Sequence, residues 1–163
     1  MLYPSRMFAW FCLLFMSEVS FAQLTENTAV DRAFVVRRAL DSGLPRIRQL
    51  AHSGLLLHTT DGQFFLLEYM DDGKAYLTGV EIKTLETKAD HKIVRMPGRT
   101  TGGTSDFLWT CQLNGKPLVG KEYTPKDIQR MMNELMNGRY DILNQEHCHA
   151  AQELVRKRLQ IFD

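Results

Sequence analysis

The chain has 163 residues, 44% of them hydrophobic and 24% charged, and a formal net charge of +1. That balance excludes a strongly basic nucleic-acid binder, a disordered tail and a collagen-like repeat. Three cysteines are too few for a disulfide-built mini-protein but enough for a nucleophile.

The N-terminus is skewed. Met1 to Arg6 is short and ends in a positive charge, and Met7 to Met16 is an unbroken apolar run. Ser20-Phe21-Ala22 then sets small residues at the −3 and −1 positions of a cleavage point after Ala22. This is the three-part layout of a secretory signal peptide. As a helix the apolar run rises only about 15 Å, roughly half a bilayer core, so no stable membrane span is expected. The expected organisation is a signal peptide at 1–22 and a single secreted domain at 23–163; an uncleaved leader holding the protein at a membrane is the rival. Cleavage removes Arg6, Glu18 and Cys12, so the charge is unchanged and the cysteines become Cys111 and Cys148.

Gln23 to Asp31 is a polar lead-in. Ala33 to Leu40 reads as a strand on its β-branched Val35 and Val36, with a short helix as the alternative. His52 to His58 and Gln63 to Met70 read as an antiparallel hairpin around the turn residues Thr59-Thr60-Asp61-Gly62. A second turn at Asp71-Asp72-Gly73 leads to a strand over Lys74 to Ile82. His91 to Met96 is a fourth strand. Pro97 to Ser105, with three glycines and three threonines, predicts a loop that shapes a pocket together with Lys116 to Glu122. Asp106 to Leu113 is a fifth strand, closed by a tight turn at Asn114-Gly115.

Two helices close the chain. Thr124, Pro125 and Asp127 supply an N-cap, an N1 proline and an N3 acid ahead of Ile128, Met131, Met132 and Leu135, and Asn137-Gly138 is a stop signal. The methionines at 131, 132 and 136 read as helix packing. The last helix runs from about Cys148 to Ile161, with Ala151, Leu154, Val155 and Leu159 at helical spacing and Arg156-Lys157-Arg158 as a solvated face. Strands first and helices after predict an α+β fold, an antiparallel sheet with helices packed on one side.

Cys148 at a helix start is the candidate nucleophile. Free backbone N–H groups and the positive end of the helix dipole favour thiolate there, and the same N–H groups can donate to an oxyanion. His52, at the head of an apolar strand, is the candidate base. Glu68, the one acid of an apolar strand, is brought alongside by the hairpin and is the candidate partner for the imidazole. His58 shares the face of His52 and reads as a surface residue at the hairpin. Cys111, beside Trp109 in a strand, reads as core. His147, Cys148, His149 and His52 match no zinc-ligand spacing, so no metal is expected.

His52-Ser53-Gly54 leading an aliphatic hairpin, with Tyr140-Asp141-Ile142-Leu143 ahead of Cys148-His149 at a late helix start, resembles the circularly permuted papain-like thiol hydrolases and acyltransferases, the lecithin:retinol acyltransferase-like and PPPDE-like group. The likeness covers His52 to Val155. It departs at His147, where the family usually carries Asn, and at Ala150-Ala151, where a Phe is frequent. The resemblance implies a permuted papain-like fold with Cys148 as nucleophile, His52 as base, Glu68 as the third residue and Tyr140 as the aromatic before the cysteine. Gln145 and Asn144 are candidate donors to the oxyanion. The expected activity is cysteine-dependent hydrolysis or acyl transfer on an amide, ester or thioester. It needs no cofactor and takes an acyl-bearing partner (peptide, lipid or conjugate), not nucleic acid. The rival from another class is a catalytically inactive secreted binding module of the same fold, with Cys148 in a disulfide to Cys111.

Overall fold

The computed structural model describes residues 27–39, 51–118, 120, 122–140 and 147–161. The expected leader at 1–22 and the candidate oxyanion residues Asn144 and Gln145 lie outside the described residues. Among the described residues the chain forms eight strands and two helices. The strands are β1 (Val30–Ala39), β2 (Ala51–Thr59), β3 (Phe64–Tyr69), β4 (Ala75–Gly79), β5 (Lys83–Thr87), β6 (His91–Thr100), β7 (Gly103–Gln112) and β8 (Lys116–Pro117). Helices α1 (Pro125–Met136) and α2 (Cys148–Leu159) follow, so the fold is α+β.

All pairings in the sheet are antiparallel, in the order β4-β3-β2-β1-β7-β6-β5, with β8 beside β1. The β2–β3 hairpin forms as the turn signals predict: Gly62 takes a positive φ of 85° and its N–H donates to the Thr59 carbonyl. Gly54 then faces Glu68 across the ladder.

Three expectations are corrected. Pro97–Ser105 is not a loop: β6 and β7 stay in register from His91↔Gln112 to Thr100↔Gly103, so only the tip turns. Pro97 is tolerated because β6 has passed the end of its pairing with β5, at Arg95, and is an edge there. Gly98 serves close approach rather than flexibility, since a Cβ on it would stand 2.6 Å from Trp109. Asn114-Gly115 is not a reversal either. β7 and β8 both run antiparallel to β1, so the chain only bends, while the Gln112 side chain accepts from the Val35 N–H at 3.0 Å. Finally, Leu154 is 37% exposed, and the α2 position turned inward is Gln152, 4% exposed.

Strand alternation divides the apolar residues into two cores. One lies between the sheet and the helices, where Val35, Leu55, Leu57, Leu67 and Tyr69 meet Ile128, Met132, Ala151 and Val155. The other lies on the opposite face, where Val36, Leu56, Leu66, Val94, Met96, Trp109 and Cys111 form one cluster. Residues from both ends of the sheet meet in it, so the sheet curls. The same curl brings the Arg99 N–H of β6 to Glu68 of β3 at 2.7 Å. Both helices pack on the first face alone. Helix α1 opens with the predicted capping box between Thr124 and Asp127 and closes at Asn137 in the left-handed conformation. No helix among the described residues is long and apolar enough to cross a membrane.

Candidate functional site

The β2–β3 ladder begins at the Gly54–Glu68 pair, which leaves Ala51 to Ser53 of β2 paired with β1 on one edge and without a strand on the other. The tip of α2 fills that place. The Ser53 N–H donates to Cys148 Sγ at 3.4 Å, and His149 Nε2–H donates to the Ala51 carbonyl at 2.6 Å. A strand edge left without a partner is thus covered by a helix N-terminus, with the thiol set against the backbone after His52 and the His149 ring against the backbone before it. His147 caps the helix through its imidazole, which accepts from the His149 N–H at 3.1 Å. Because that ring nitrogen accepts, it carries no proton in the capped state.

His52 and Glu68 point to the curled face, one ladder step apart. His52 Nε2 lies 3.0 Å from Glu68 Oε1. With that nitrogen engaged, Nδ1 is the one left for the Cys148 thiol. Burial alone would depress the imidazole, but hydrogen bonds to Cys148 and Glu68, with their charges, outweigh it and hold His52 above its ordinary 6.5. Cys148 and His52 keep 5% and 4% of their surface, while Glu68 is fully buried beneath them. Trp109 meets the His52 ring edge-on at 6.2 Å, anchored by its indole N–H on the Met96 carbonyl at 3.2 Å.

Glu68 is fully engaged. Oε1 faces His52 and, at 3.8 Å, the Arg38 guanidinium; Oε2 accepts from the Arg99 N–H. A buried carboxylate needs such partners. Gln152, one turn beyond Cys148, accepts from the Ser53 hydroxyl at 2.7 Å and ties the helix to the strand at this point.

The structure therefore brings together Cys148, His52 and Glu68. Tyr140 is packed nearby, its ring stacked on Tyr69 with centroids 6.1 Å apart. Burial, with the charges of Cys148 and Asp71, pushes its phenol up to about 12. His58 stands away from the site, paired with Asp31 at 2.6 Å. Cys111 is buried in the curled core, and burial raises its thiol to about 11. Among the described residues the two cysteines, Cys111 and Cys148, are free thiols. No three metal-donor side chains converge among the described residues.

Arg38, Arg99, Ser53 and Gln152 were not singled out by the sequence. Two of them left a local signal. Arg38 shares the face of buried Val36 by strand alternation, and Gln152 follows Cys148 at helical i, i+4 spacing. Compared with protein-family models, with curated proteins and with solved structures, the chain matches none.

Proposed function

We propose that the chain is a secreted cysteine-dependent hydrolase or acyltransferase of the permuted papain-like class, acting on an amide, ester or thioester. The observation that carries this reading is the seating of Cys148 Sγ, at a helix tip, on the N–H of Ser53 beside His52, whose imidazole meets the buried Glu68 carboxylate at 3.0 Å. Order along the chain also supports it, with the histidine strand preceding the cysteine helix. Secretion is supported by the leader pattern.

In this mechanism His52 Nδ1 takes the thiol proton and the Cys148 sulfur attacks the acyl carbon. The C=O π electrons move to oxygen, and that oxyanion is placed to accept the Cys148 N–H, which at the first helical position has no intrahelical acceptor. The tetrahedral adduct collapses, the leaving amine, alkoxide or thiolate takes the proton from His52, and an acyl-thioester on Cys148 remains. Water or another acceptor, deprotonated by His52, then attacks the thioester and restores the thiol. The Glu68 side chain keeps the imidazole oriented through Nε2. The chemistry needs no cofactor.

The test is to incubate the protein with an activated aryl ester, a thioester, a peptide and a phospholipid and to record its intact mass. An acyl adduct mapped to Cys148 and absent in Cys148→Ala is expected. No adduct with any of them, or one that survives Cys148→Ala, would overturn the reading.

A further inference from the structure

A buried cation stands behind the cysteine–histidine pair. Arg38, opposite His52 in the β1–β2 register, is 7% exposed. Its Nη2 donates to the Arg99 carbonyl at 2.7 Å and lies 3.8 Å from Glu68 Oε1. The guanidinium carbon sits 3.9 Å over the Phe107 ring centroid and 5.3 Å from that of Trp109. The Arg99 peptide serves both charges, since its N–H donates to Glu68 Oε2 while its carbonyl accepts from Arg38. A guanidinium lays its flat face on a ring while donating from its edge.

We propose that Arg38 is a positioning residue for Cys148 and His52: it holds the Glu68 carboxylate in place, and its buried positive charge acts on the same cluster to set the pH range over which the thiolate–imidazolium pair exists. The proposal rests on reading Cys148 and His52 as a reactive pair. Desolvating a carboxylate is expensive unless a cation and hydrogen bonds compensate it. Glu68 has the Arg99 N–H, the His52 ring and Arg38 on three sides. Among the described residues, the charged and titratable groups facing this cluster are His52 from β2, Glu68 from β3 and Cys148 from α2, with Tyr140 within reach of the Cys148 charge. Arg99 turns its own guanidinium away, 4.0 Å over the Tyr76 ring of β4, and His149 turns its ring to the Ala51 carbonyl. Among the described residues Arg38 is therefore the permanent cation in contact with Glu68, beside the titratable His52.

The sign follows from charge. A cation favours the deprotonated form of every group around it, so its removal makes the thiol and the imidazolium both keep their protons to higher pH. Removal of an anion does the reverse. The experiment measures the rate of iodoacetamide alkylation at Cys148 in the full chain, read by peptide mass, against pH. The profile of such a coupled pair has two steps, formation of the ion pair and loss of the imidazolium proton.

Arg38→Met is expected to move both steps to higher pH by about one unit, Glu68→Gln to move the upper step to lower pH, and Arg38→Lys to stay near the wild-type position. Steps that stay in place in Arg38→Met while only the amplitude changes would overturn the proposal. If Arg38→Met does not fold, the double variant with Glu68→Gln is expected to fold, because no buried anion is then left alone. Failure of the double variant where Glu68→Gln alone folds would equally overturn it. A wild-type profile indifferent to His52→Ala would remove the reactive pair itself, and this proposal with it. Unmoved steps in Arg38→Met remove the role of Arg38 alone.

Discussion

The Ser53 hydroxyl donates to the Gln152 side-chain oxygen at 2.7 Å, a side-chain bond between the strand that carries His52 and the helix that carries Cys148. Ser53 is 1% exposed and Gln152 is buried with it, so neither group has water as an alternative. The same residue's N–H reaches Cys148 Sγ. The position of the thiol therefore depends on buried polar contacts between strand and helix.

Ser53→Ala leaves the Gln152 oxygen without its donor and is expected to destabilise the fold by about 1–3 kcal/mol in urea denaturation. The double variant Ser53→Ala/Gln152→Met removes both polar groups and is expected to be less destabilised than the sum of the single variants. Strict additivity would show that the bond contributes nothing of its own.

Gly98 lies in a segment whose composition predicts a loop, and it is a packing glycine. Gly98→Ala places a methyl against the Trp109 ring, and overpacking of this kind costs about 1–3 kcal/mol. Because Trp109 also meets His52, the variant is expected to shift the tryptophan emission and to slow Cys148 alkylation together. Emission and rate both unchanged would show that the joint yields without disturbing the site.

His149 and His52 pull stability in opposite directions with pH. Burial lowers His149 below 6.5, outweighing the hydrogen bond to Ala51, so the unfolded chain takes up its proton first. Its contribution is complete above 6.5 and declines as pH falls from there toward the folded-state value. His52 is raised, so its contribution is present below 6.5 and is lost as pH rises through its folded-state value. The wild-type minus His149→Gln difference in unfolding free energy should therefore grow with pH across this range, and the difference for His52→Gln should shrink. Parallel curves would contradict both assignments.

The Thr124–Asp127 capping box gives a further test remote from the site. Hydrogen bonds from Thr124 lower Asp127 below 3.8, so its contribution is present above 3.8 and disappears as pH falls through the folded-state value. Thr124→Ala is expected to cost about 1 kcal/mol in thermal or urea unfolding, and Thr124→Ser much less. Equal losses would place the effect in the methyl group rather than the hydroxyl.

Much of the joint was legible in the sequence because it is local. The turn at Thr59–Gly62 sets the hairpin register, and register decides that His52 and Glu68 share a face. The capping box and the late cysteine at a helix start are local signals too. What escaped is what depends on distant partners. Arg38 finds Arg99 and Gln152 finds Ser53 only after the sheet has curled and the helix has docked. Gly98 carries the same letter whether it loosens a loop or admits an indole, and only Trp109 across the ladder decides between them. Asn114-Gly115 shows the same limit, since its bend is set by two strands sharing one neighbour.

The two free thiols offer an internal comparison. Burial raises Cys111 to about 11, so it should stay unalkylated in the native protein near neutral pH and react only after unfolding. Early labelling of Cys111 would contradict its place in the curled core.

The central claim is that Cys148 is activated by His52, and the rate of iodoacetamide alkylation at Cys148 near neutral pH tests it most directly. The account predicts that His52→Ala slows this rate by about tenfold or more while the protein remains folded, because the thiolate loses its imidazolium partner. Equal rates in the folded wild-type and His52→Ala proteins would contradict it.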